Sequence, residues 1–245
     1  MSRLRTCAAG LLLAVLASPA ARAAEPAANH ATASPAVAYQ LDEIIRDTQR
    51  SSASPQKIDL VWWLPAEFWM AATAADKKVA DSEKQAIIEL FREYTVVGVV
   101  VGDMGTIGVQ KFRSEAEVRA DLHLVDPAGR EYTALPPDQV DKQLALMLQI
   151  LKPMLASVVG EMGNNLNFYV FPGKAKDGKR TADPLAEGKL VVKLFDETYP
   201  FRLPLGSVLP ARFDPATGER FPGSYRFNPF TGAQLNTRAA PSGSQ

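Results

Sequence analysis

Apolar residues recur along this chain in three patterns, and each predicts a different kind of element. Ile58 to Leu64 and Thr95 to Val101 are near-continuous apolar runs of strand length, the pattern of buried strands. Shorter runs at Asn167 to Phe171, Lys189 to Phe195 and Phe201 to Leu205 add further strands, the last two as an antiparallel hairpin. Val118, Ala120, Leu122 and Leu124 alternate with polar neighbours, which predicts a half-solvated strand. Asp126-Pro127-Ala128-Gly129 then predicts a reversal, with Glu131 to Leu135 returning beside that strand.

Helical spacing marks the third pattern. Leu41, Ile44 and Ile45 predict a short amphipathic helix, and Phe68, Trp69 and Ala72 a second one behind Pro65. Ala86, Ile87, Leu90 and Phe91 predict a third, with Ser82 and Gln85 spaced as a capping box. The longest helix opens at Pro137-Asp138 and runs to about Met162, with Pro153 expected to kink or split it. Helices inserted among mostly hairpin-joined strands predict an α+β fold. Its core is an antiparallel-dominated sheet with helices packed on a face, followed by a short irregular ribbon-like tail.

The N-terminus changes the compartment. Arg3 and Arg5 precede an apolar stretch from Ala8 to Leu16, and Ala21-Arg22-Ala23 has the form of a cleavage site. Residues 1–23 are therefore expected to be a signal peptide of a Gram-negative bacterium, placing the protein in the periplasm or outside the cell. The expected organisation continues with a disordered tether over 24–37, an α+β domain over 38–210, a tail over 211–235 and a disordered C-terminus over 236–245. No transmembrane segment is expected after the leader. The chain balances 27 basic against 27 acidic residues, and losing Arg3, Arg5 and Arg22 makes the mature protein slightly acidic. Without a basic block, nucleic acid is excluded as a partner.

Composition also narrows the chemistry. The single cysteine, Cys7, lies in the leader, and the two histidines are His30 in the tether and His123 on the polar phase of its predicted strand. That leaves no obvious nucleophile–base pair and no cysteine–histidine zinc site. No acidic loop has calcium-binding EF-hand spacing, and no cofactor is expected. Candidate catalytic carboxylates are Glu67, Asp103 and Glu161. A ligand groove would draw on Trp63, Glu67, Trp69, Asn164 and Asn165, although tryptophans in this setting also serve as core and Glu67 suits a first helical turn. The glycine-rich segment Gly102 to Gly108 predicts a tight turn rather than a phosphate cradle. Gly173 to Gly188, with Lys174, Lys176, Lys179 and Arg180, predicts an exposed loop.

Near the end the chain repeats itself: FDPATG at Phe213 to Gly218 returns as FNPFTG at Phe227 to Gly232. Each copy resembles one knuckle of the double-knuckle zinc ribbon, in which two turns each carry a cysteine pair on a shared metal. The resemblance places the four ligand positions at Asp214, Thr217, Asn228 and Thr231, with Pro215, Pro229, Gly218 and Gly232 keeping the turn frame. Hydroxyls and an amide replace thiolates there, so no metal is expected and the tail is read as a degenerate ribbon. The stretch from WWLPAEFW at Trp62 to Trp69 to this tail also resembles exported bacterial proteins of unknown function, a likeness that implies no reaction. The leading expectation is a non-catalytic envelope protein that binds a protein partner or a small ligand. A carboxylate-dependent hydrolase or lyase and a purely structural subunit of an envelope assembly stay open as alternatives, and oligomeric state is left undetermined.

Overall fold

A computed structural model describes residues 39–54, 56–74, 76, 78–106 and 108–237. The expected leader and tether, and all but the first two residues of the expected disordered C-terminus, lie outside the described residues. The first elements are α1 (Leu41–Thr48), β1 (Gln49–Arg50), β2 (Lys57–Leu64), α2 (Ala66–Ala74), α3 (Asp81–Arg92), β3 (Tyr94–Gly105) and β4 (Gly108–Phe112). They are followed by α4 (Glu115–Asp121), β5 (His123–Val125), β6 (Glu131–Thr133), α5 (Lys142–Val159) and β7 (Asn167–Pro172). The hairpin β8 (Gly188–Leu194) and β9 (Glu197–Leu203) comes next, and the tail carries β10 (Arg212–Phe213) and β11 (Arg220–Phe221).

The fold is α+β, with antiparallel sheets, helices packed separately and a two-stranded C-terminal ribbon. A central sheet runs β1-β2-β3, and the far edge of β3 is shared. β7 pairs with its first half, Tyr94–Val99, and β4 with its last residues, Gly102–Gly105. A second sheet has the order β6-β5-β8-β9.

Strand parity explains why β2 and β3 are apolar on both faces. Val61, Trp63, Val97 and Val99 point one way, into a core shared with Leu124, Val192, Tyr199 and Phe201 of the second sheet. Leu60, Trp62, Leu64, Val96 and Val100 point the other way, into a core shared with α1, α2, α3 and α5. The central sheet is thus the middle of three layers, and neither face of β2 or β3 meets water over most of its length. Gly98 lies where a side chain would meet Leu166 Cδ1 at 3.1 Å, so its absence lets the segment before β7 pack down on the sheet.

Several expected elements take a different form. Residues 118–121, expected as the start of a strand, belong to helix α4, because Ser114 and Glu117 close a capping box. The Glu117 carboxylate accepts the Ser114 backbone N–H at 2.8 Å and its hydroxyl at 2.8 Å, and these bonds hold Glu117 down at about 2. Val118 and Leu122, read as alternate strand positions, are equally an i,i+4 helical pair, and both are buried. The longest helix begins later, at Lys142, because Asp141 caps it by accepting from Gln143 N and Leu144 N at 2.8 and 3.1 Å. It then passes Pro153 without a break and continues as a 3-10 segment, Gly160–Asn165.

The expectation of no transmembrane segment is overturned by this helix. Lys142–Asn165, 24 residues in all, is long and apolar enough to cross a membrane, and only 22% of its most apolar window is buried. The helix is apolar on its outward face as well as its inward one: Leu144, Leu148, Leu151 and Leu155 enter the core while Leu146, Ile150, Met154 and Val158 face out.

The expected exposed loop between β7 and β8 is partly built in. Ala175 N donates to Lys179 O at 2.8 Å, Thr181 N donates to Gly173 O at 2.8 Å, and Thr181 and Ala182 are buried. The tail belongs to the same compact unit as the sheets. Gly223 N donates to Gly206 O at 3.0 Å, and Arg220 pairs with Glu43 of α1.

Candidate functional site

The structure separates the carboxylates that composition singled out. Glu67 sits in the first turn of α2 with its side chain 8% exposed, and Arg180 reaches it at 3.0 Å. Asp103 lies near the opposite end of the central sheet, 3.0 Å from Arg113. The register pairs Leu64 with Val96 and Lys57 with Asp103, so at strand spacing the two acids stand roughly 20 Å apart. Glu161 is exposed in the 3-10 segment that follows α5.

The tryptophans part company too. Trp63 lies between the two sheets with its ring edge-on to Phe201, whereas Trp69 stacks on Phe91 in the helical layer at 4.1 Å. Facing opposite sides of the central sheet, they do not line one groove. Asn164 is exposed, and Asn165 contributes only its backbone carbonyl, which accepts from Asn167 Nδ2 at 3.3 Å. Gly102 belongs to β3, where an added side chain would press on Ile58, Val109 and Phe112 at 3.0 to 3.1 Å. Gly102 is thus close-packed within β3, whereas Met104 and Gly108 nearer the turn are exposed. His123 Nδ1 lies 3.0 Å from Glu131 Oε1 across the β5–β6 pair.

The two C-terminal echoes adopt the same turn. Asp214 Oδ1 accepts from Ala216 N and Thr217 N at 2.8 and 3.0 Å, and Asn228 Oδ1 accepts from Phe230 N and Thr231 N at 2.8 and 3.3 Å. Gly218 and Gly232 close the turns at φ 72° and 74°, a conformation that favours glycine. Because Asn228 Oδ1 is committed to its own turn, its amide nitrogen faces the other knuckle and donates to Asp214 Oδ2 at 2.7 Å. Both residues are buried. That bond, with the Thr217 and Ala216 amides, holds the Asp214 carboxyl below its usual range.

This donor set does not fit a zinc ion. An N–H that donates cannot ligate, and Thr217 Oγ1 and Thr231 Oγ1 accept from the Glu219 and Ala233 amides. Among the described residues no group of three or more His, Cys, Asp or Glu is placed to hold a metal ion. Of the aromatics in the tail, Phe221 is buried and stacks on Tyr225, while Phe227 and Phe230 face out.

One buried acid was not singled out from sequence. Asp59 of β2 points between the sheets, 6% exposed, and its Oδ2 accepts the Tyr199 hydroxyl at 2.7 Å. Burial pushes the Asp59 carboxyl above the usual carboxylate range, Glu197 adds to the shift, and the Tyr199 bond offsets part of it. Glu197 moves the other way, held down by Ser52 and Lys57. The folded protein therefore binds the Asp59 proton more tightly than the unfolded chain does. Stability tied to this group is greatest in the acid range and falls as pH rises through the raised pKa. Asp59→Asn, which keeps an acceptor for Tyr199, is expected to melt higher than the parent at about pH 7 and equally near pH 3. Thermal melts across that range decide it, and an unchanged or lower melting temperature at neutral pH would refute it.

A site with room for a ligand and an apolar floor lies beside α5. A cleft of about 260 Å³ opens between α4, α5 and β7. Its floor is apolar, made by Val140, Ala145, Leu148, Phe168 and Val170, and its rim carries Glu115, Arg119, Gln149 and Lys152. Arg119 is fully engaged: it pairs with Glu115 at 2.6 Å, donates to Leu135 O at 2.7 Å and lies over the Tyr169 ring. Lys152 differs. Its ammonium donates to Asn167 Oδ1 at 3.1 Å, and among the described residues it has no carboxylate partner.

No protein-family model, curated protein or solved structure matches the chain. A signal for the cleft was nevertheless present in the residues: Lys152 is the only charge between Gln143 and Gly160. Asp59 likewise is the only charge in the apolar run that forms β2 after Lys57. A lone charge inside an apolar element must be paired, reach solvent or serve a ligand.

Proposed function

We propose that this protein is a non-catalytic binding protein of the bacterial envelope, and that it takes a small amphipathic carboxylate in the α5 cleft. The observation that carries this reading is Lys152, a cation without an anionic partner among the described residues, set on the rim of an apolar floor. A carboxylate over the Asn167 side would complete the ammonium's charge while its alkyl or aryl body covered Leu148, Phe168 and Val170. The cleft is smaller than the about 300–1,000 Å³ common for drug-sized ligands, which limits the occupant to a short chain or one ring. In this reading Glu67 and Asp103 serve as structural ion-pair partners. The leader supplies export, and the tail is a ribbon closed by an Asp–Asn hydrogen bond in place of a metal.

Octanoate and 1-octanol share a body and differ in charge, so titrating each into the protein tests the proposal. Octanoate is expected to bind with Kd about 0.1–1 mM, at least about tenfold tighter than the alcohol. Lys152→Met is expected to abolish that preference while the melting temperature stays within a few degrees. Equal affinity for the two ligands, or a preference that survives in Lys152→Met, would contradict the assignment.

A further inference from the structure

The outward face of α5 repeats one chemistry over its whole length. Leu146, Ile150, Met154 and Val158 follow each other at four-residue spacing and are 57, 52, 40 and 52% exposed. Between Lys142 and Glu161 no exposed position is charged, since Lys152 turns aside to Asn167. An apolar helical stripe of this length is uncommon on an isolated soluble surface and marks an interaction site. The stripe adjoins the cleft, and Gln149, on the cleft rim, also borders the stripe.

We infer that this face pairs with the same face of a second copy of the chain, α5 against α5, antiparallel. The stripe is its own mirror image about Lys152. An antiparallel two-fold there sets Leu146 opposite Val158 and Ile150 opposite Met154, large aliphatic against large aliphatic throughout. It also brings Lys142 of each copy to the end where the other presents Glu161, beside the exposed capping residue Asp141, and no charge between those ends is covered. A bilayer surface suits the stripe less well. Helices that lie in the lipid interface carry lysine and arginine along the flanks of the apolar face, and here the flanks are Gln143, Gln149 and Ser157. An 18-residue helix is about 27 Å long and presents a strip about 10 Å wide. That footprint falls short of the about 800 Å² per partner of a standard stable interface, so the dimer is weak and depends on concentration.

Sedimentation equilibrium of the full-length chain tests this, run over about 1–300 µM, the range in which so small an interface dissociates. A reversible monomer–dimer equilibrium is expected. Ile150→Glu buries a charge against its mate and is expected to weaken association at least about tenfold, with an unchanged melting temperature because Ile150 is half-exposed. Lys142→Glu is expected to weaken it about two- to fivefold, and Lys142→Glu combined with Glu161→Lys to restore it. That rescue requires antiparallel self-pairing and does not depend on how Ile150→Glu folds. A monomer over the whole range, a dimer indifferent to Ile150→Glu, or failure of the double swap to restore association would overturn the inference. So would an Ile150-dependent binding of monomer to phosphatidylethanolamine–phosphatidylglycerol vesicles, which would assign the face to a bilayer.

Discussion

Trp69→Ala is expected to lose about 3–5 kcal/mol of folding stability, a large share of the total for a domain of this kind. The ring is 2% exposed, stacked on Phe91 at 4.1 Å and edge-on to Phe68 at 4.9 Å, so truncation opens a cavity that aromatic neighbours cannot collapse to fill. Trp69→Phe provides the contrast. Trp69 Nε1 is buried without a hydrogen-bond partner among the described residues, so phenylalanine removes an unsatisfied donor along with some packing, and the net change should stay within about 1 kcal/mol. Urea denaturation of both variants measures this. If Trp69 lined a ligand groove instead, Trp69→Ala would cost under about 1 kcal/mol and reduce binding, and that result would reinstate the aromatic groove.

Breaking the Glu67–Arg180 pair is expected to have the next largest effect, about 3 kcal/mol for either Glu67→Ala or Arg180→Ala. Removing one member strands the other in a partly desolvated position, which is the costly case for a buried pair. The figure sits at the low end because Arg180 also approaches Asp183 at 3.6 Å and keeps 28% of its side chain in water. Replacing both partners by apolar residues of similar size, Glu67→Leu with Arg180→Met, should recover most of the loss, since no isolated charge remains. A double-mutant cycle by chemical denaturation reads the coupling. Additive losses would show that the two side chains act separately. The pair joins α2 to the loop before β8 across 113 positions of sequence, so its loss should also loosen Thr181 and Ala182, seen as faster amide exchange there.

Some features are legible in the sequence itself. The runs Ile58 to Leu64 and Thr95 to Val101 read as buried strands by length and apolar content, and they form β2 and β3 of the central sheet. The β8–β9 hairpin and the paired C-terminal turns also followed from local pattern, because turn chemistry in proline, glycine and Asx residues acts within a few positions. Of the expected strand from Val118 to Leu124, the end is strand β5, while Val118 to Asp121 is helix because Val118 and Leu122 satisfy an i,i+4 repeat as well as alternation and the capping box at Ser114 and Glu117 decides for helix. The site fared worse. Glu67, Asp103, Trp63 and Trp69 stood out by residue type, yet their neighbours came from segments far away in sequence.

What the chain alone determined is therefore local: which runs are strands, where the turns fall, that the fold is α+β, and that Lys152 and Asp59 are solitary charges in apolar elements. Only the tertiary structure decided what each solitary charge meets. Asp59 is closed between two sheets against Tyr199, whereas Lys152 is left on an open rim beside Asn167. It decided too that Asn228 donates to Asp214, fourteen positions away, across the ribbon, and that one face of α5 is core while the other is exposed. The physical reason is range. Backbone preference and periodicity act over a few residues, while burial, charge pairing and cleft shape depend on segments that only folding brings together.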